Sequence, residues 1–345
     1  MMSVLVVALF VGMGAMDVEV GYFWHLTKGQ MGLLWRAKSI SRVLKDKDLP
    51  PQTRQGLQLV ERIRAFARDE IGLAASTNYT TYVDIGSGPV SWNLVVCAKD
   101  QLTPVRWTYP VVGTVPYRGY FRREEAESER DRYEAKGYDT YLRPVSAYST
   151  LGWFPDPILS TMLRYDEADL ADLVIHELTH ATLWIEGDVT FNESLASFVG
   201  ETGALIWLQI KYGKDSPVVQ QVRDRRADAE VFRQFMYELG AQLDSLYLGD
   251  SDRAVKLIQR QAIFEGAKDK YFQLPLKTNR YDGFPTWKLN NARMALYRVY
   301  RTRTDVFQKV YESVGESLPK ALSIFKKCET ETDPAGYLQA GLSDP

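Results

Sequence analysis

The residues of this chain best placed to do chemistry lie together in Val174-Ile175-His176-Glu177-Leu178-Thr179-His180. On a helix, His176 and His180 stand one turn apart on one face, so two imidazoles can grip one metal ion while Glu177 sits beside it. A catalytic zinc takes three protein ligands and keeps a fourth position open for water, whose pKa falls to about 7. A carboxylate next to the metal, but not bound to it, can take the water's proton as the water attacks a polarised carbonyl. Glu177 has the position for that general base. The chain has only 3 histidines, His25, His176 and His180, so the third ligand is expected to be a carboxylate. Glu193, in Phe191-Asn192-Glu193-Ser194-Leu195-Ala196-Ser197-Phe198, is the leading candidate, and the expected cofactor is one Zn2+ per chain. A competing reading makes Thr190-Phe191-Asn192-Glu193 a capping box, in which Glu193 bonds back to the Thr190 amide. Ser197, one turn beyond Glu193, is placed to support a ligand.

The elements that must position these groups can be read from periodicity. Leu170, Val174, Leu178, Ala181 and Ile185 recur at helical spacing, which predicts a helix over residues 166–185 stopped at Gly187. A reversal through Glu186-Gly187-Asp188 and a helix restarting near Thr190 would bring Glu193 back level with the histidines. Upstream, Tyr82-Val83-Asp84-Ile85, Asn93-Leu94-Val95-Val96, Arg106-Trp107-Thr108-Tyr109 and Tyr141-Leu142-Arg143-Pro144-Val145 read as strands of a mixed sheet. The charged segment 122–136 reads as a crossover helix with a solvated face. The stretch 146–152 is a candidate edge strand that would take the backbone of a peptide substrate at Ser149, Thr150 and Gly152. Two apolar stripes, one through Leu33, Leu34, Ala37, Ile40, Val43 and Leu44 and one through Leu57, Leu59, Val60, Ile63, Phe66 and Ala67, predict a helical hairpin broken at Pro50-Pro51. Further helices are predicted over 217–246, 251–267, 289–311 and 318–327. The third carries Asn290, Arg293, Tyr297 and Arg301 along one side, and Tyr297 is the candidate oxyanion donor. For a substrate α-amine, Glu186, Asp188 and Glu201 stand equal.

The pair of segments around His176 and Glu193 resembles the gluzincins, HExxH zinc peptidases in which the histidine helix is followed by a helix carrying Asn-Glu. Only 12 residues separate His180 from Glu193, shorter than the usual gluzincin interval. A broader resemblance is to a bacterial family of predicted zinc aminopeptidases. It runs through Gly21-Tyr22-Phe23, Gly29-Gln30, Pro110-Val111-Val112-Gly113, Tyr117-Arg118-Gly119-Tyr120-Phe121, Tyr148-Ser149-Thr150-Leu151-Gly152-Trp153-Phe154, the two zinc segments and Leu289-Asn290-Asn291-Ala292. The resemblance implies a zincin-like fold and an aminopeptidase activity. Relatives often begin with a lipoprotein-like signal, but no cysteine stands near Ala15-Met16 here.

At 345 residues and 45% hydrophobic composition, the chain can bury a substantial core, and its net charge of -2 offers no basic footprint for nucleic acid. Cys97 and Cys328 have no metal-ligand spacing and read as two isolated buried thiols. The uncharged run from Val4 to Met16 is too short for a membrane span but fits an export or anchoring segment. That predicts association with a membrane and a cell-envelope location, against a cytoplasmic alternative. The expected fold is α+β and zincin-like: a segment over 1–16, then one domain over 17–345. Within it come a helical hairpin (17–75), a sheet region beside the HExxH helix (76–155), the zinc helices (156–212) and a helical remainder (213–345). The expected function is a zinc-dependent peptidase, an aminopeptidase using Glu177 as base. The alternatives are an endopeptidase or other amide hydrolase on the same centre, and a non-catalytic zinc-braced scaffold.

Overall fold

The computed structural model describes residues 35–109, 113–145, 156–299 and 305–343. The fold is α+β, mostly helical, with small sheets. The described strands are β1 (Lys38–Ser39), β2 (Thr81–Val83), β3 (Ser91–Cys97), β4 (Trp107–Tyr109), β5 (Gly113–Val115), β6 (Arg118–Tyr120), β7 (Asp139–Val145) and β8 (Ile158–Leu159). The helices are α1 (Pro51–Phe66), α2 (Arg123–Ala135), α3 (Glu167–His180), α4 (Val189–Tyr212), α5 (Pro217–Leu248), α6 (Arg253–Tyr271), α7 (Asn291–Val299), α8 (Asp305–Ser313), α9 (Leu318–Phe325) and α10 (Pro334–Ser343).

The strands do not form the single mixed sheet expected. They divide into a sheet ordered β1-β2-β8, a sheet ordered β6-β3-β7, and a β4-β5 pair. In the second sheet β3 is antiparallel to both neighbours, with Leu94 opposite Arg118 on one side and Leu142 on the other. The charged helix α2 carries the chain from β6 across to β7 and buries only Ala126, so its charges do form a solvated face. Leu94, Val95, Val96 and Cys97 are all buried because both faces of β3 are covered. Leu94 and Val96 face Tyr120 and Ala126, whereas Val95 and Cys97 face Ala292 and Ala295 of α7.

The second arm of the predicted hairpin is α1, with Leu57, Val60, Ile63 and Phe66 buried and Pro51 at the first turn, where no amide is needed. The first arm is different. Its described part runs from helical Trp35 and Arg36 into β1, where Lys38 and Ser39 pair with Tyr82 and Thr81, and then into a helical turn at Ile40–Val43, while Leu33 and Leu34 of its stripe lie outside the described residues. Pairing with a distant strand overrides the local helical stripe there. Residues 1–34, which include His25 and the expected export segment, lie outside the described residues, and so does the edge-strand candidate at Ser149, Thr150 and Gly152. Among the described residues no helix is long and apolar enough to cross a membrane.

The main core gathers α1, the small β1-β2-β8 sheet, α3, α4, α8, α9 and α10. The sheet beside the histidine helix is therefore this small one, while β6-β3-β7 packs on α2 and α7. A second core lies between α5, α6, α7 and the segment around Phe284. Helices α5 and α6 match expectation, and α7 and α8 occupy the range predicted as one helix. Helix α10 was not predicted, since its ten residues include Gly336 and Gly341. Pro334 starts it, and Asp333 accepts from the Gly336 amide at 3.0 Å. Cys97 and Cys328 are both buried and form no disulfide.

Asn290, expected on one side of this helix with Arg293 and Tyr297, and its neighbour Asn291 tie elements together. Asn290 donates to the Thr140 carbonyl at 2.8 Å and accepts from the Arg293 amide at 2.9 Å. Asn291 donates to the Ala98 and Gln101 carbonyls, each at 2.9 Å, and accepts from the Tyr247 hydroxyl at 2.8 Å. Nearby, a buried Asp139–Arg260 pair at 2.8 Å links β7 to α6.

Asp228, on α5 and 1% exposed, accepts from the Lys277 amide, the Thr278 amide and the Thr278 hydroxyl at 2.8, 2.7 and 2.6 Å. It fixes the loop that leads into Tyr281, Phe284 and Trp287. Asp228→Ala leaves two amides without an acceptor and is expected to lower stability by about 3 kcal/mol, read from the urea midpoint at constant m-value.

Candidate metal centre

Two helices carry the site, and local chemistry fixes how they meet. Asp166 caps α3 by accepting from the Asp169 amide at 2.9 Å. In the first turn, the Glu167 carboxylate accepts from Trp207 Nε1 at 2.8 Å and from Lys211 Nζ and the Tyr212 hydroxyl at 2.7 Å. The start of α3 is thereby pinned to the end of α4, which forces the two helices antiparallel.

Helix α3 ends at His180, five residues short of the expected end at 185. The turn that follows is built by Asn192, whose side chain accepts from the Ile185 amide at 2.9 Å and donates to the Ile185 carbonyl at 2.7 Å. Gly187 supplies a left-handed φ of 84° at the reversal. Asp188 caps α4 by accepting from the Phe191 amide at 2.9 Å. The cap is therefore Asp188 and not Thr190, which overturns the capping-box reading. Glu193 lies inside the helix, with its carboxylate turned to the histidines.

His176 Nε2 lies 3.6 Å from Glu193 Oε2, and His180 Nε2 lies 3.4 Å from Glu193 Oε1. One ligand atom from each of the three residues falls within 4.8 Å of the others, a grouping able to hold a metal ion. The His176 and His180 rings stand edge to face with centroids 4.9 Å apart, and Trp184 sets its ring against His180 at 5.4 Å. The side chain of His180 is 5% exposed and that of Glu193 35%, so solvent reaches the group from the Glu193 side.

The donor set fits a divalent metal on its own electrostatics. Burial pushes the Glu193 carboxyl up, but the two imidazoles beside it win and hold it down at about 2. Burial pulls His176 down, but Glu193, Glu177 and Asp172 outweigh it and leave the imidazole above its ordinary value. A carboxylate that stays ionised against two crowded imidazoles is a set of donors waiting for a cation.

These shifts make the metal-free protein pH-dependent. Glu193, depressed below its ordinary 4.5, contributes stability that is complete above that value and lost as pH falls toward about 2. His176, raised above 6.5, contributes stability that is complete below that value and lost as pH climbs through its raised pKa. Chelator-treated protein is therefore expected to be most resistant to urea between pH 4.5 and 6.5 with respect to this pair. Metal affinity should instead rise with pH, because the imidazoles must be neutral to bind.

Close approach of α3 and α4 depends on two glycines. A Cβ at Gly200 would come 2.5 Å from Asp172 Oδ1 and 3.1 Å from His176 Cβ, and one at Gly203 would come 3.0 Å from Ile175 Cδ1 on α3. Gly200→Ala must push α4 away from the helix that carries both histidines. It is expected to cost about 1–3 kcal/mol of stability and to weaken metal binding, read by denaturation and by competition with a chelating dye.

Several participants were not anticipated. Asp172, one turn before His176, is pushed up to about 7 by burial and by Glu201, against His176 and Arg226. Its four-residue spacing from His176 was the available signal. Glu201 is thus the acidic candidate placed beside the site, with its backbone carbonyl accepting from Arg226. Asp188 is used as a helix cap and Glu186 is exposed. Tyr79, fully buried, has its phenol pushed well up by burial, with Glu177 and Asp156 adding to the effect. It also holds a left-handed φ of 60°. Nothing local in the sequence links Tyr79 to Glu177. Ser197 is half-buried and makes no hydrogen bond among the described residues. Tyr297 is placed in the second core, against Phe232 at 6.0 Å and Trp287 at 6.3 Å, and not with the histidines.

A family model described as "Putative aminopeptidase" matches residues 21–334, a span that takes in every described strand and both helices of the site. No curated protein and no solved structure matches the chain. The match covers most of the 345 residues, and the chain belongs to this "Putative aminopeptidase" family.

Proposed function

We propose that the protein is a zinc-dependent aminopeptidase of zincin-like architecture, with His176, His180 and Glu193 as metal ligands and Glu177 as general base. The observation that carries this reading is the convergence of three donors from α3 and α4 within 4.8 Å, with Glu177 next to His176 on the same helix. A zinc ion there would supply Lewis acidity and a water of lowered pKa. The Glu177 carboxylate accepts the proton of the attacking water and delivers it to the nitrogen of the leaving amine. Tyr79 keeps a neutral phenol beside Glu177 within a buried wall. Glu201, whose charge reaches Asp172 one turn before His176, is the acidic group on that side for a substrate α-ammonium. The ligand set favours zinc among divalent metals because imidazole and carboxylate in a three-donor group suit it. The substrate is a peptide. The expected export or anchoring segment in residues 1–16 would place the enzyme at the cell envelope.

The test is a panel of peptides offered with free or acetylated N-termini to zinc-loaded protein. Stepwise release of the first residue from free peptides alone supports the aminopeptidase. Internal cleavage of both kinds assigns an endopeptidase to the same centre. Zinc retention without any cleavage assigns a metal-braced scaffold.

A further inference from the structure

A cavity of about 390 Å³ opens where β7, α5, α7 and the loop after α6 meet. None of its lining residues belongs to the histidine site. Its walls are aromatic: Phe232 and Tyr281 stack at 3.9 Å, and Trp287 closes edge-on to Phe232 at 5.8 Å. Three guanidinium groups enter it, from Arg143, Arg233 and Arg293, and no carboxylate lines it among the described residues.

The three arginines are not equivalent. Arg233 is paired with Glu230 on its own helix. The Arg293 guanidinium is held between rings, 3.8 Å from the centroid of Trp287 and 4.7 Å from that of Tyr141, and its Nε is buried without an acceptor. The Arg143 side chain makes no hydrogen bond or ion pair with a described residue, its backbone lying in the β3–β7 ladder. It shares a face of β7 with Tyr141, two residues earlier, so both point toward α7. The Tyr297 hydroxyl lies in the same space. Burial pushes it up to about 12, against the pull of Arg293 and Arg143, so it remains a hydrogen-bond donor.

Two guanidinium groups with no acidic partner in a partly desolvated cavity are unfavourable unless an anion joins them. Arginine's planar fork suits a carboxylate or a phosphate, and stacking on Trp287 and Tyr141 fixes the plane of that fork in advance. The aromatic walls then favour a ligand whose body is flat and apolar. We infer that this cavity is a binding site for an organic anion with an aromatic or apolar body, its anionic head on Arg143 and Arg293 and a hydrogen bond from Tyr297.

The experiment titrates the full chain by calorimetry with benzoate, inorganic phosphate and benzylamine. Benzoate is expected to bind once per chain and benzylamine not at all. Phosphate competing with benzoate extends the anion class to phosphorylated ligands, whereas failure to compete restricts it to carboxylates; either result keeps the site. Arg143→Gln and Arg293→Lys should each weaken benzoate by about tenfold or more, the second because it keeps the charge but loses the fork. His176→Ala should leave benzoate binding unchanged, so this site stands or falls separately from the metal centre. Absence of benzoate binding by the wild type, equal binding of benzylamine, or benzoate binding that survives in both arginine variants overturns the inference.

Discussion

Glu177→Gln is expected to keep its metal and lose catalysis. The side chain is isosteric and stands outside the group formed by His176, His180 and Glu193, so ligand geometry should survive. What disappears is the oxygen that accepts a proton, and general-base loss of this kind lowers turnover by about 10²–10⁴-fold. Because substrate contacts remain, the fall should appear in kcat and kcat/KM together, with KM little changed. Peptide hydrolysis by metal-loaded wild type and variant at equal metal content measures it. A variant that hydrolyses at the wild-type rate removes Glu177 from the chemistry.

Glu193→Gln is expected to act in the opposite way, on the metal before the reaction. The carboxylate lies 3.6 Å from His176 Nε2 and 3.4 Å from His180 Nε2, and its charge compensates whatever cation the imidazoles hold. An amide keeps the shape but not the charge. Loss of groups that merely orient metal ligands weakens affinity 10- to 100-fold, and loss of a direct ligand should exceed about 100-fold. The fold should persist, since the helix is capped by Asp188 and not by Glu193. The metal-free variant should also show a smaller acid-side fall in stability, because the Glu193 contribution no longer titrates while Asp166, Glu167 and Asp228 still do. Metal competition and urea curves at two pH values read both effects.

The pair of helices that brings His176, His180 and Glu193 together was legible in the sequence because everything that sets it is local. Two histidines at helical spacing, an apolar stripe through Leu170, Val174 and Leu178, and a short connection bring Glu193 back by geometry alone. The end of α3 was misjudged because Asn192 reaches back to Ile185, a bond that periodicity does not encode. The same limit explains the split sheets and the strand set within the first arm of the hairpin, where Lys38 and Ser39 answer to strand partners more than forty residues away. Tyr297 was placed on the correct helix and near other polar groups, but packing sent that face toward Trp287 and Phe232. Asn290 and Asn291, attractive as cleft residues, are spent on backbone carbonyls of the β3 edge and β7. Tyr79 comes under the charge of Glu177 only through tertiary packing, and no spacing rule announces it.

The most direct test of the account is removal and return of the metal. Wild-type protein stripped by chelator should lose hydrolysis of free-amine peptides, and titration with Zn2+ should restore it with an end point at one ion per chain, while His180→Ala recovers nothing. Cleavage that continues after the metal is gone, or a stoichiometrically zinc-loaded wild type that cleaves no peptide in the panel, would contradict the assignment of His176, His180 and Glu193 to a catalytic centre.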